Sequence, residues 1–180
     1  LADQIGVDLT NPPRLGEIAG VDVVDILVDE LPEKISPVEV SRTGAAGLEQ
    51  LVQLTAARFD HMRKVPVRKL ARHILSEAVR VDDAEAALRE GDLAAFGKLL
   101  NASHESLRAD FGCSTPELDA LCKAMRAAGA LGARLTGAGF GGYALAAVPP
   151  EQVEAVIAAA IAATGGPAFE VHASPGLEVV

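Results

Sequence analysis

The chain has 180 residues, a formal net charge of −9 and 49% apolar residues, which describes one acidic globular domain or one domain with a small extension. An acidic domain repels polyanions, so nucleic acid is excluded as the main partner. A small phosphorylated ligand is not, because backbone N–H groups and Mg²⁺ hold phosphates inside proteins of either sign. No apolar run is long enough to span a bilayer and the start carries no basic-then-apolar leader, so no membrane partner and a cytoplasmic setting are expected. Cys113 and Cys122 are the only cysteines and read as reduced thiols, Cys122 as part of a helix core.

Residues 1–44 are cut into short pieces by Pro12-Pro13, Gly16, Gly20, Pro32 and Pro37 and read as an irregular lead-in or interface segment. Within it Val21 to Val28 fits a strand or a short helix equally well. From residue 45 the pattern turns helical, with Leu48, Leu51, Val52, Thr55 and Phe59 at spacings of three and four. Pro66 precedes a new helix whose stripe is Val67, Leu70, Ala71, Ile74, Leu75, Ala78 and Val79. Gly91 ends it, and Asp92 caps a third helix with Leu93, Phe96, Leu100 and Leu107 on one face. Ser114-Thr115-Pro116-Glu117 has the form of a capping box opening a helix with Leu118, Leu121, Cys122 and Met125 inward. Ala133 to Thr136 reads as a short strand, Gly137 to Gly142 as a loop, and Tyr143 to Val148 as a second, buried strand. Pro149-Pro150-Glu151 starts a helix carrying Val153, Val156, Ile157, Ala160 and Ile161, which Gly165-Gly166-Pro167 stops. Ala168 to Ala173 reads as a third strand and Leu177 to Val180 as a fourth. This order predicts an α+β domain over 45–180, helices packed on a mostly antiparallel sheet.

Chemistry concentrates in Gly132-Ala133-Arg134-Leu135-Thr136-Gly137-Ala138-Gly139-Phe140-Gly141-Gly142, with five glycines in eleven positions. So many glycines fit a backbone that needs φ > 0 or a close approach. Gly137, Gly139 and Gly142 match G-x-G-x-x-G, but a strand follows where a dinucleotide fold needs a helix, and no Gly-Lys-Ser/Thr follows for a phosphate loop of the Walker type. The glycines alone leave two readings open, a nest of N–H groups for an anion and a hairpin that lets two strands pass close to a helix.

That string resembles the third conserved motif of the GHMP kinases in its galactokinase form. Asn101-Ala102-Ser103-His104-Glu105-Ser106-Leu107-Arg108 and Ser114 to Asp119 resemble the galactokinase segment before it, as do Arg72-His73 and Glu77 further upstream. The resemblance runs over roughly 68–175 and implies a GHMP-kinase C-terminal domain, part of an ATP-dependent kinase that phosphorylates the anomeric hydroxyl of galactose or a related sugar. It implies a cleft shared with an N-terminal half, which in this superfamily carries the phosphate loop, the sugar contacts and the catalytic residues. No Gly-Leu-Ser-Ser-Ser or Gly-Glu-His-Thr-Asp is present in this sequence, so no catalytic residue is assigned here and the chain alone is expected to be inactive. The implied partners are the N-terminal half, a small sugar and ATP, with Mg²⁺ held mainly by ATP and that half. Thr136, Gly137, Ala138, Gly139, Phe140, Gly141 and Gly142 are expected to line the phosphate side of the cleft. Arg134 and His104 are candidate supporting residues. A non-catalytic galactokinase-like sensor and a GHMP kinase for another acceptor are the alternatives.

The remaining candidates have plain readings. His73 and Glu77 sit four apart on one helix face and suit a hydrogen bond better than a metal, for want of a third ligand. His104 reads as a helix histidine bonded to a neighbour, with a general-base role as the sharper alternative. The basic run Arg58, Arg63, Lys64, Arg68, Lys69 and Arg72 reads as a solvated helix face.

Overall fold

The computed structural model describes residues 28, 29, 31–36 and 64–172. The expected helix at 48–59 and the strand at 177–180 lie outside these residues. The chain falls into two compact units, residues 1–81 and 82–180.

In the first unit Ile35 and Val65 form an isolated antiparallel bridge, with both N–H···O bonds made at 2.9 and 2.8 Å. Helix α1, Val67–Glu90, begins just after Pro66, as expected. Arg68 donates through Nε and Nη2 to the Leu31 carbonyl and so ties the first turn to the preceding segment. On the predicted stripe Ala71 and Leu75 are buried, while Ile74 is exposed. Glu77 accepts from Arg80 Nε, and the second guanidinium nitrogen of Arg80 donates to Ser76 Oγ.

The second unit is α+β. Asp92 caps helix α2, Leu93–Ser106, by accepting from the Ala95 N–H at 2.8 Å. Leu93 itself is 52% exposed, against expectation. It is the first residue of the helix, beside the cap, where the stripe has not yet reached the core. The chain then passes through a π-helical turn, Leu107–Phe111, which Gly112 ends at φ +75°. Helix α3, Pro116–Ala127, is capped by Thr115, whose Oγ1 accepts from the Leu118 N–H. The capping box read one residue earlier is therefore corrected. Pro116 occupies the first helical position, where a missing N–H costs nothing, and Ser114 instead donates to Asp119 Oδ1 at 2.6 Å.

Strands β1, Gly132–Thr136, and β2, Tyr143–Ala147, form an antiparallel pair with Arg134 opposite Leu145 and Thr136 opposite Tyr143. After a 3₁₀ turn at Pro150–Gln152, helix α4, Val153–Thr164, runs to Gly165, which ends it at φ +68°. Helices α2 and α3 lie against the strands, and α4 packs on α3. Period-two alternation sends Ala133, Leu135, Ala144 and Ala146 inward to Cys122, Met125, Val156 and Ala160 on one side and to Leu107, Cys113 and Leu118 on the other. Burying Leu135 completely contributes about 1.5–3 kcal/mol.

Two expectations about the sheet are corrected. Strand β2 is not buried on both faces: Tyr143 is 74% exposed and Leu145 is exposed beside it. Its apolar run resembles a buried strand only because alanines fill the inner row. Residues 168–172 form no strand; Phe169 and Val171 are exposed there.

Candidate functional site

The loop between β1 and β2 is built almost wholly from backbone that L-residues avoid. Gly137, Gly139, Gly141 and Gly142 have φ of +80°, +78°, +121° and +87°, and Phe140 joins them at +59°. A phenylalanine held there costs about 1–2 kcal/mol, and its N–H is anchored on the Cys113 carbonyl at 2.6 Å. Within this loop Ala138 alone keeps a negative φ, so the alternation that makes a nest holds at Gly137-Ala138-Gly139.

The glycines divide into two kinds. A Cβ on Gly139 would stand 2.5 Å from the Cys113 carbonyl oxygen and 2.9 Å from its Sγ, so this glycine packs. Gly137, Gly141 and Gly142 have open space where a Cβ would stand. One glycine thus rests on a seat, and three have open space beside bare backbone. The N–H groups of Gly137, Ala138, Gly141 and Gly142 donate to no backbone carbonyl among the described residues.

The seat is made by the π-helical turn. Leu107 O accepts from both the Gly112 and the Cys113 N–H, which swings Cys113 inward beneath the loop. Burial raises the Cys113 thiol above its ordinary value, with Arg134 pulling it partly back. Such π turns recur at functional sites, but nothing in the residue types of 107–113 announces one.

The edge of β1 away from β2 is closed by side chains. Asn101 Oδ1 accepts from the Ala133 N–H at 3.0 Å, and its amide donates to Leu131 O at 3.2 Å. Arg126 donates to Ala133 O at 3.3 Å. His104 Nδ1 accepts from the Leu135 N–H at 3.3 Å. Arg134 donates through Nε to its neighbour's carbonyl, Leu135 O, at 3.0 Å. Helix α2 reaches this edge because Gly97 and Gly132 meet backbone to backbone. A Cβ on Gly132 would stand 2.0 Å from Gly97 O, and one on Gly97 would stand 2.6 Å from the Leu131 carbonyl carbon. Asn101, Arg126 and Gly97 were not singled out from the sequence; the only available signal was the presence of Asn101 in the kinase-like segment.

His104 is the core histidine of this arrangement. Because Nδ1 accepts, the proton sits on Nε2, which faces Asp119 Oδ1 at 3.2 Å. Burial holds its pKa below the ordinary value, partly offset by Asp119 and reinforced by Arg126. Cys122 Sγ lies 3.8 Å from Nδ1. Thiol, imidazole and carboxylate in line suggest a nucleophile, but Cys122 is fully buried and burial pushes its thiol up to about 11. A protonated thiol with no access to solvent attacks nothing.

On the other face of the sheet Arg134 and Thr136 stand in the row with Leu145 and Tyr143, and Phe140, 73% exposed, projects from the loop. Arg134 and the Thr136–Gly142 loop therefore share one open side, and His104 lies behind the sheet edge. Among the described residues no three His, Cys, Asp or Glu side chains stand together as metal ligands, and no helix is long and apolar enough to cross a membrane.

Strand, glycine loop and strand, backed by helices, define a class. Residues 84–166 match the family "GHMP kinases C terminal". Within that class the chain is similar to galactokinases. It is 50% identical to one from Mycobacterium tuberculosis over 86 residues, 48% of this chain and 24% of that protein. It is 51% identical to one from Enterococcus faecalis over 117 residues, 62% of this chain and 30% of that one. A galactokinase from Roseiflexus matches at 43% over 112 residues, 62% of this chain and 29% of that protein. The solved Lactococcus lactis galactokinase complexed with galactose is 31% identical, with a TM-score of 0.49, over 88% of this chain and 41% of that one. The matches span about a quarter to three tenths of the length of the curated relatives.

Proposed function

We propose that this chain is the C-terminal portion of an ATP-dependent galactokinase-type kinase, which moves the γ-phosphoryl group of ATP to the anomeric hydroxyl of galactose or a close sugar. The observation that carries the reading is the loop itself: three glycines at positive φ with nothing beside them, in the string that the galactokinase-like sequence centres on. A phosphate oxygen needs bare backbone to come within hydrogen-bond distance of an N–H, and Gly137, Gly141 and Gly142 offer it. Thr136 through Gly142 would line the phosphate side of the cleft, with Arg134 on the same side to neutralise charge. His104 takes no part in proton transfer in this reading, since both ring nitrogens are engaged inside the core.

Phosphoryl transfer is mostly positioning and charge stabilisation. The described residues supply donors to that task and no catalytic carboxylate is assigned among them. The reading leaves Mg²⁺ to ATP and to an N-terminal half, where it would neutralise phosphate charge. It takes 45–180 as the domain, 1–44 as a segment facing that half, and the cytoplasm as the setting.

A coupled ADP-release assay tests this. The full-length protein is expected to release ADP in a galactose-dependent way, and residues 1–180 alone are expected to release none. ADP release with another sugar but not galactose moves the acceptor. A full-length protein that binds galactose and ATP without turnover overturns the kinase in favour of a sensor.

A further inference from the structure

The loop has two roots, Thr136 and Tyr143, and the chain leading into the first is held by a side chain from outside the hairpin. Leu135 stands immediately before Thr136, is fully buried, and sends its N–H to His104 Nδ1 at 3.3 Å. We propose that His104 is a positioning residue for the Thr136–Gly142 loop, fixing its root through the Leu135 N–H and releasing it when the ring takes up a second proton. The bearing of this on phosphoryl transfer rests on the kinase reading above; the hold on the loop does not.

The argument is one of hydrogen-bond balance. A neutral ring with its proton on Nε2 satisfies Leu135 on one side and Asp119 on the other. A doubly protonated ring has no lone pair at Nδ1, so two N–H groups would face each other where no water reaches. A buried backbone N–H without an acceptor is costly enough to move the strand that carries it. The groups around the ring are Asp119, Cys122 and Arg126 from α3 and Glu105 from α2. Asp119 and Glu105 favour the charged ring, while burial and Arg126 oppose it, and burial is the largest of these influences. The folded ring therefore protonates below the ordinary 6.5. Above that value the hold is complete. It weakens as pH falls from there through the lower folded value, because the unfolded chain binds the proton more tightly.

Backbone amide exchange on this chain, measured by NMR from pH 5 to 8 and corrected for intrinsic exchange, tests the proposal. In the parent, protection at Leu135 and Phe140 is expected to fall with pH below 6.5, while amides in the middle of α3 hold. Two substitutions separate the ring's two bonds. His104→Asn places an acceptor near the Nδ1 position and does not titrate, so Leu135 should keep its protection at every pH. His104→Gln reaches toward Asp119 and leaves Leu135 without its acceptor, so protection there should drop about tenfold at neutral pH. Equal behaviour of the two variants, or pH-independent protection at Leu135 in the parent, overturns the proposal; the second measurement needs no variant to fold. In the full-length protein the same pair should split kcat, with asparagine near the parent and glutamine well below it, at similar KM for the sugar. The expected exchange pattern in a full-length protein that phosphorylates no sugar would sink the kinase reading and leave the positioning intact.

Discussion

Replacing Gly139 by alanine tests whether the loop rests on Cys113. The new methyl would lie 2.5 Å from the Cys113 carbonyl oxygen and 2.8 Å from its Cβ. Neither atom moves freely, since the carbonyl is bonded to Phe140 N at 2.6 Å and Cys113 is buried. Left-handed backbone costs alanine about 1–2 kcal/mol, and overpacking a fixed site adds about 1–3 kcal/mol. The sum is about 2–5 kcal/mol. Gly137→Ala is the control. Its φ of +80° matches the +78° of Gly139, but nothing lies within 4 Å of its added Cβ, so it should lose only the backbone part, about 1–2 kcal/mol. For a domain of about 100 residues, each kcal/mol lowers Tm by about 4–8 °C. Thermal unfolding of the two variants by circular dichroism should therefore place Gly139→Ala clearly below Gly137→Ala. Variants that melt together would refute the packing of Gly139 on Cys113 and return all the loop glycines to one kind.

Gly97→Ala should destabilise the domain by about 1–3 kcal/mol, although alanine favours helix, because its methyl would meet the Leu131 backbone at 2.6 Å; a raised Tm would refute the backbone contact of α2 with β1. Asp92→Ala should cost about 1 kcal/mol through the lost cap on the Ala95 N–H, read as a lower urea midpoint with unchanged m-value, and an unchanged midpoint would count against that cap.

What the sequence made legible was local. Asp92 and Gly91 announced their helix boundary because capping chemistry is a property of a few adjacent residues. Cys122 announced its burial because its helix repeats. The loop announced itself by its glycines. What stayed hidden depends on residues far apart in the chain. Nothing near Gly97 shows that it must meet Gly132, and nothing near Asn101 shows that it stands in for a strand along β1. The thirty-one residues from His104 to Leu135 hide the bond that makes this histidine structural. The sequence of strand β2 reads as buried because alanine counts as apolar on either face. Residues 168–172 carry strand-like types, yet Phe169 and Val171 are exposed and no ladder forms there.

Strand β1 is keyed at three of its five positions. Gly132 meets Gly97, Ala133 meets Asn101, Leu135 meets His104, and Arg134 and Thr136 look the other way. Substitution alters one of these teeth at a time, but inserting or deleting a single residue exchanges the two rows and undoes all of them together. Across the hairpin tip no such key exists at Gly141 or Gly142. Descent with changes of length is thus barred in the strand and open only at the turn, so related chains should differ in length at the tip and keep the five positions of β1 in frame.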